Sequence, residues 1–197
     1  MTYPIRAAHE SGLFDRVVVS SDSHEVGAVA ARERAVYFQR DPKLGTNSDR
    51  ASMYSVVNEV LTHYSTQGEL YDYVCMLYAP APFLTAARLQ EGYKYMLEGY
   101  QFAFPMYKTQ HPERSLYNAA GSMRPRFPYE FSMNSNYWPD NYHPAEGWWW
   151  ANAVSLEVYK GFWGERNKGV LVPEVEAMVI DTEEDWRRAE TKYRAGE

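Results

Sequence analysis

Carboxylates placed at the ends of apolar runs are the residues of this chain best suited to chemistry. Val17-Val18-Val19 reads as a short strand covered on both faces, because three β-branched residues in a row leave no polar side. Its carboxyl end delivers Ser20, Ser21 and Asp22, two hydroxyls and a carboxylate. In open α/β sheets, ligands gather at the carboxyl ends of strands. Asp181 stands in the same relation to the apolar run Ala177-Met178-Val179-Ile180, and Arg40 supplies a cation in the polar loop Gln39 to Asp49. Acids so placed suit a hard cation, since magnesium takes one or two carboxylates together with substrate phosphates. Each acid also has a plainer reading. Asp22 can cap a helix running from Ser23 to Arg34, and Asp181 can open the final helix. The five histidines show no metal-ligand spacing, and no G-x-S-x-G elbow, P-loop or G-x-G-x-x-G run occurs.

The elements that must position these residues alternate. Thr2 to Ser11 predicts a helix closed by Gly12. The strand Arg16–Ser20 follows, then a helix at Glu25–Arg34 and a strand at Ala35–Phe38. This α-β-α-β order is that of a mostly parallel sheet. Apolar residues from Met53 to Leu61 keep helical spacing over Ser52–Tyr64, with Ser48 or Asp49 as cap. Tyr71 to Tyr78 reads as a further buried strand, stopped by Pro80 and Pro82. Thr85 caps a helix that Gly99 closes, and Gln101–Phe104 is a strand. Periodicity fades from about 105 to 147, a proline- and aromatic-rich excursion. Order resumes at Trp148-Trp149-Trp150, as a strand or a strand-to-helix join. Val170–Pro173 and Ala177–Ile180 read as extended, and Thr182 with Asp185 opens a last helix in a capping-box variant. The whole of 1–197 reads as one domain.

Composition narrows the partners. A net charge of −6 argues against a general affinity for nucleic acid. The single cysteine, Cys75, excludes a disulfide framework within the chain and fits a reducing compartment. No apolar run is long enough to span a bilayer, and the amino end shows no signal-peptide pattern, so a cytoplasmic protein is expected. The aromatic share is high, 16%, with seventeen tyrosines and six tryptophans. Aromatics are enriched at interfaces, so a homo-oligomer or a larger assembly is expected.

Four stretches together resemble the acylneuraminate cytidylyltransferase family, and within it the pseudaminic-acid type. They are Glu10 to Asp22 (ESGLFDRVVVSSD), Tyr71 to Leu84 (YDYVCMLYAPAPFL), Tyr142-His143 with Ala145 and Trp148 to Trp150, and Ile180 to Trp186 (IDTEEDW) followed by Arg188-Ala189-Glu190. The resemblance implies a three-layer α/β/α, Rossmann-like nucleotidyltransferase domain. It implies transfer of CMP from CTP to a nine-carbon acidic sugar, with magnesium and release of pyrophosphate. It makes Ser20, Asp22 and Arg40 nucleotide-binding, Tyr78 and His143 sugar-binding, and Asp181 a metal ligand. Nucleotide and acidic sugar are the implied small-molecule partners.

The departures from that pattern shape the expectation. The family opens with a central strand and a basic, glycine-rich loop that holds the triphosphate; residues 1–197 contain neither. The position of a paired carboxylate is Val179, an arginine position is Asn134, and the turn after Tyr78 is Ala79-Pro80-Ala81-Pro82. The chain by itself is therefore expected to be inactive, with a non-catalytic structural or assembly subunit as the alternative. An absent central strand costs ladder hydrogen bonds of about 1 kcal/mol each and bares side chains worth roughly 1.5–3 kcal/mol each. The gap should therefore be filled, or its flanking strands should pair directly.

Overall fold

A computed structural model describes residues 1–44, 52–109, 112–134, 136 and 138–195. Helix α1 (Thr2–Ser11) ends at Gly12, whose φ of 67° is the left-handed turn that glycine adopts without a Cβ clash. Strand β1 (Val18–Ser21) follows and pairs in parallel with β2 (Val36–Gln39) across α2 (His24–Arg32). Ser23, not Asp22, caps α2: its Oγ accepts from the Val26 amide. Asp22 is thereby left for other work.

Ser52 caps α3 (Met53–Ser65), with Ser55 reciprocating in a capping box. The expected caps, Ser48 and Asp49, lie outside the described residues. Strand β3 (Tyr73–Leu77) leads through Thr85, which caps as expected, into α4 (Ala86–Leu97) and then β4 (Phe102–Thr109). The excursion is more ordered than its composition suggests. It folds a hairpin, β5 (Leu116–Ala119) and β6 (Ser122–Pro125), a short helix α5 (Pro128–Phe131), and β7 (Asn141–Pro144), which joins the main sheet. Strand β8 (Trp148–Asn152) and α6 (Ala153–Tyr159) realise both readings of the tryptophan run. After β9 (Asn167–Leu171), residues 177–180 are not a strand; the Ala177 amide instead turns back to the Glu174 carbonyl. Helix α7 (Glu183–Ala195) ends the described chain, and Asp185 Oδ2 accepts from both the amide and the hydroxyl of Thr182.

The main sheet runs β3-β8-β4-β7, with β9 parallel to β4 and the other pairings antiparallel. Strands β7 and β8 are two lengths of one antiparallel run along β4, broken at 145–147. Trp148 and Trp150 point to one face of this sheet, against Leu89 and Met96 of α4. Gly92 makes that fit possible, since a Cβ there would lie 2.5 Å from the Trp148 ring. On the other face Trp149 stacks on Phe104, ring centres 4.5 Å apart, beside Phe102, Leu156 and Phe162. Strands β1 and β2 form a separate two-stranded sheet. Among the described residues the gap is not closed: β1 and β3 neither pair with each other nor share a strand between them.

Candidate functional site

The Arg16 side chain ties the two sheets together at the beginnings of β1 and β3. Its Nη2 donates to Glu69 Oε2 at 2.6 Å and its Nε to the Tyr71 hydroxyl at 3.0 Å. The guanidinium also lies 4.6 Å from the centre of the Tyr64 ring. Both strands therefore start at the same end of the molecule. Hydrogen bonds from Tyr71 and then Glu69 raise the Arg16 pKa, and those from Tyr71 and then Arg16 lower that of Glu69.

Between the two strands lies a cleft of about 880 Å³. One wall comes from α1 and α4, with Ile5, Ala8 and Tyr93, and from Phe14 and Trp150. The opposite wall is α3, with Val56, Val57, Val60 and Leu61. The strand edges face this space. Val36 N donates to Val17 O and Arg40 N to Ser21 O, so alternate residues of β1 turn toward β2 and Val18 and Ser20 turn away. Ala153 N donates to Asp72 O and Tyr78 N to Gly147 O, so Tyr73, Cys75 and Leu77 of β3 turn away from β8.

The carboxyl ends of the strands form a polar mouth. Arg40 Nη2 reaches Asp22 Oδ1 at 3.4 Å. Ser20 Oγ and Arg40 Nε are buried and have no hydrogen-bond partner among the described residues. A buried donor without a partner costs about 1–3 kcal/mol, so two of them in one cleft mark a place where an acceptor belongs. Glu59 of α3 holds the Asp41 amide with one oxygen at 2.9 Å and leaves its other oxygen buried and unpaired. Sequence reasoning passed over Arg16 and Glu59. The signal for Glu59 is an acid set between the apolar pairs Val56-Val57 and Val60-Leu61 of one helix; Arg16 reads only as a strand residue.

Tyr78 lines the cleft, and its hydroxyl donates to Met53 Sδ at 2.7 Å. Burial, and then the charge of Glu146, push its phenol pKa up. Asp181 is exposed, and the Ile180 amide donating to Pro80 O at 3.0 Å brings it near the end of β3. His143 does not join this group. It sits on β7, which continues the β8 lane along β4, and it does not line the cleft; its Nδ1 is 2.8 Å from the Pro144 carbonyl oxygen. Among the described residues no cluster of three His, Cys, Asp or Glu side chains could hold a metal. Asp181 alone does not make a magnesium site, and the remaining ligands would have to be phosphate oxygens.

The cleft thus joins unpartnered donors to the carboxyl ends of strands in an α/β protein. A family model described as Cytidylyltransferase matches residues 1–122. The chain belongs to the cytidylyltransferase family. It is 37% identical over 120 residues to the pseudaminic acid cytidylyltransferase of Campylobacter jejuni subsp. jejuni serotype O:2, a match covering 59% of this chain and 51% of that protein. It is 25% identical over 194 residues to the N-acylneuraminate cytidylyltransferase of Escherichia coli O18:K1:H7, covering 97% of this chain and 45% of that one. The chain spans about half the length of the curated relatives it matches. Two solved structures share the fold. One is CMP:2-keto-3-deoxy-manno-octonic acid synthetase complexed with CTP, with a TM-score of 0.63, 13% identity, and 98% of this chain and 88% of that chain covered. The other is the 4-diphosphocytidyl-2C-methyl-D-erythritol synthase of Anaerococcus prevotii, with a TM-score of 0.64, 11% identity, and 98% and 89% covered. The α/β nucleotidyltransferase fold is thereby established. No described helix is long and apolar enough to cross a membrane.

Proposed function

We propose that this chain serves CMP transfer from CTP to a nonulosonic acid, with release of pyrophosphate. The observation that carries the reading is the pair of buried, unpartnered donors, Ser20 Oγ and Arg40 Nε, at the mouth of the cleft. Donors held ready in a partly dry site bind anionic or hydroxyl-rich ligands well, because they need no reorganisation when the ligand arrives. Arg40 takes a phosphate or ribose oxygen, Ser20 a hydroxyl or phosphate oxygen, and Tyr78 closes the side toward the sugar. Asp22 holds Arg40 in place. Asp181, exposed beyond the end of β3, would be the carboxylate offered to a magnesium ion brought by the triphosphate, which would neutralise phosphate charge there. Residues 1–197 carry no glycine-rich, basic loop, so by themselves they bind nucleotide without turning it over.

Calorimetry with CTP, CMP and ATP tests this reading. Cytidine nucleotides should give saturable heat, and Arg40→Ala should weaken it about tenfold, the effect of roughly 1.4 kcal/mol. Absence of heat with millimolar CTP overturns it. A second reading, a structural subunit in a homo-oligomer, is favoured by apolar side chains that crowd the surface of the excursion. Tyr129 is 75% exposed and Met123 60%, and Tyr117, Phe127 and Tyr142 are exposed as well. Light scattering at micromolar concentration distinguishes the two, since a strict monomer leaves the structural role without support.

A further inference from the structure

We propose that Arg88 is a positioning residue of the cleft mouth: by clamping Glu176 it fixes the segment that presents Asp181 beside the end of β3. The inference rests on the nucleotide reading of the cleft.

The segment is a strap, residues 172–181, laid across the carboxyl ends of the strands. It begins beside β4, where the Val172 amide donates to Met106 O at 2.8 Å. Three successive turns follow, in which the amides of Glu176, Ala177 and Met178 donate to the carbonyls of Pro173, Glu174 and Val175. It ends beside β3, where the Ile180 amide donates to Pro80 O at 3.0 Å. Turns close only on their own neighbours, so they set the shape of the strap and not its place. Between the backbone anchors at Val172 and Ile180, Glu176 supplies the missing attachment.

Glu176 meets Arg88 in a two-pronged pair. Arg88 Nε donates to Oε2 at 2.6 Å and Nη2 to Oε1 at 2.9 Å. Bidentate arginine–carboxylate pairs fix orientation as well as distance. The two side chains are only 27% and 23% exposed, beside Phe83, Leu84 and Trp148. The guanidinium is itself held, since Nη1 donates to Glu91 Oε2 at 2.8 Å. Its helix is firmly seated. Thr85 Oγ1 caps α4 by accepting from the Arg88 amide, and Leu89 and Met96 bury the helix against the sheet.

Asp181 is thereby anchored from both sides. Ile180 precedes it, and the Thr182–Asp185 box begins α7 immediately after it. The Asp181 carboxylate is exposed and makes no ion pair or hydrogen bond among the described residues. Ordering exposed backbone opposes folding through lost entropy. Here that order holds still a carboxylate that the described residues do not pair, the arrangement of a group kept ready for a ligand.

The test is calorimetric titration of CTP into the whole chain, with magnesium and with EDTA in its place. Magnesium should tighten the parent about tenfold. Arg88→Met should lose that gain and keep the affinity measured in EDTA. Asp181→Asn should lose the same gain, and the double variant no more than either, because both act through one carboxylate. Glu176→Ala should match Arg88→Met, and Glu176→Gln, which keeps one acceptor, should retain part of the gain. A parent without a magnesium gain, an Arg88→Met loss that is equal in both media, or additive losses overturn the proposal. No heat with CTP in either medium overturns the nucleotide reading, and the clamp is then judged without ligand. Arg88→Met should speed amide exchange about tenfold in residues 174–180 and leave β3 and α4 unchanged. Unaltered exchange in the strap overturns the clamp.

Discussion

Arg16 and Glu69 meet at 2.6 Å across the narrow end of a cleft that no strand of the described chain fills. Their contact, with the Tyr71 hydroxyl between them, is the polar link from the two-stranded sheet to the main sheet at that end. Tyr71 first and Arg16 second lower the Glu69 pKa, so the ionised carboxylate favours the folded state. A depressed acid contributes stability that is present above its unfolded pKa, about 4.3, and is lost as pH falls through the folded value. Thermal melts of the parent and of Arg16→Ala at pH 7 should differ by a few degrees. The difference should shrink below about pH 4 and in high salt, because the pair is partly exposed.

Gly92 and Gly169 offer a second, purely steric prediction. A Cβ at Gly92 meets the Trp148 and Trp150 rings at 2.5 to 2.7 Å, and both rings are locked in the core. At Gly169 the obstructing atoms are the sulfur and methyl end of Met106, a flexible side chain. Gly92→Ala should cost about 1–3 kcal/mol of stability. Gly169→Ala should cost less, since methionine adapts to irregular space. Urea unfolding of both variants checks the order, and equal losses would contradict it.

The fold was legible wherever local chemistry decided it. Gly12, Thr85 and the Thr182–Asp185 box end or begin helices as their residue types require. The valine run forms β1, and the tryptophan run makes both the strand and the helix join. What could not be read was pairing between distant segments. Nothing local says that β8 lies antiparallel between β3 and β4, because that depends on which edges tryptophans can cover. Composition also understated the excursion, where Asn118 Oδ1 accepts from the Gly121 amide to close a hairpin. At the site, the position of Asp22 after a buried strand was informative, but its role was not. Ser23 takes the cap and leaves Asp22 to Arg40, a contact between residues 18 positions apart. His143 was legible only as a motif residue, and it does not line the cleft that Tyr78 lines.

Asp22 and Arg40 should not respond alike to substitution. Arg40→Ala removes a buried donor that waits for a ligand, so nucleotide affinity should fall about tenfold with little change in melting temperature. Arg40→Lys keeps the charge but loses the Nε–H and the planar fork, so it should recover only part of the affinity. Asp22→Asn keeps an acceptor for Arg40 and should weaken binding less than either. The same calorimetric titration measures all three, and a uniform loss would show that only net charge matters at the cleft mouth.

Cys75 provides a chemical readout of the cleft. It is the single cysteine, it stands on β3, and burial pushes its thiol pKa well up. The thiolate is the reactive form, so a raised pKa leaves little of it at pH 8. Alkylation by iodoacetamide at pH 8 should run at least about tenfold slower than for an unfolded chain in urea, whose thiol keeps a pKa near 8.5. Raising the pH should speed the folded protein more steeply than the unfolded one, because the folded thiol still has most of its ionisation ahead. Cys75 also lines the cleft and turns its backbone groups toward it.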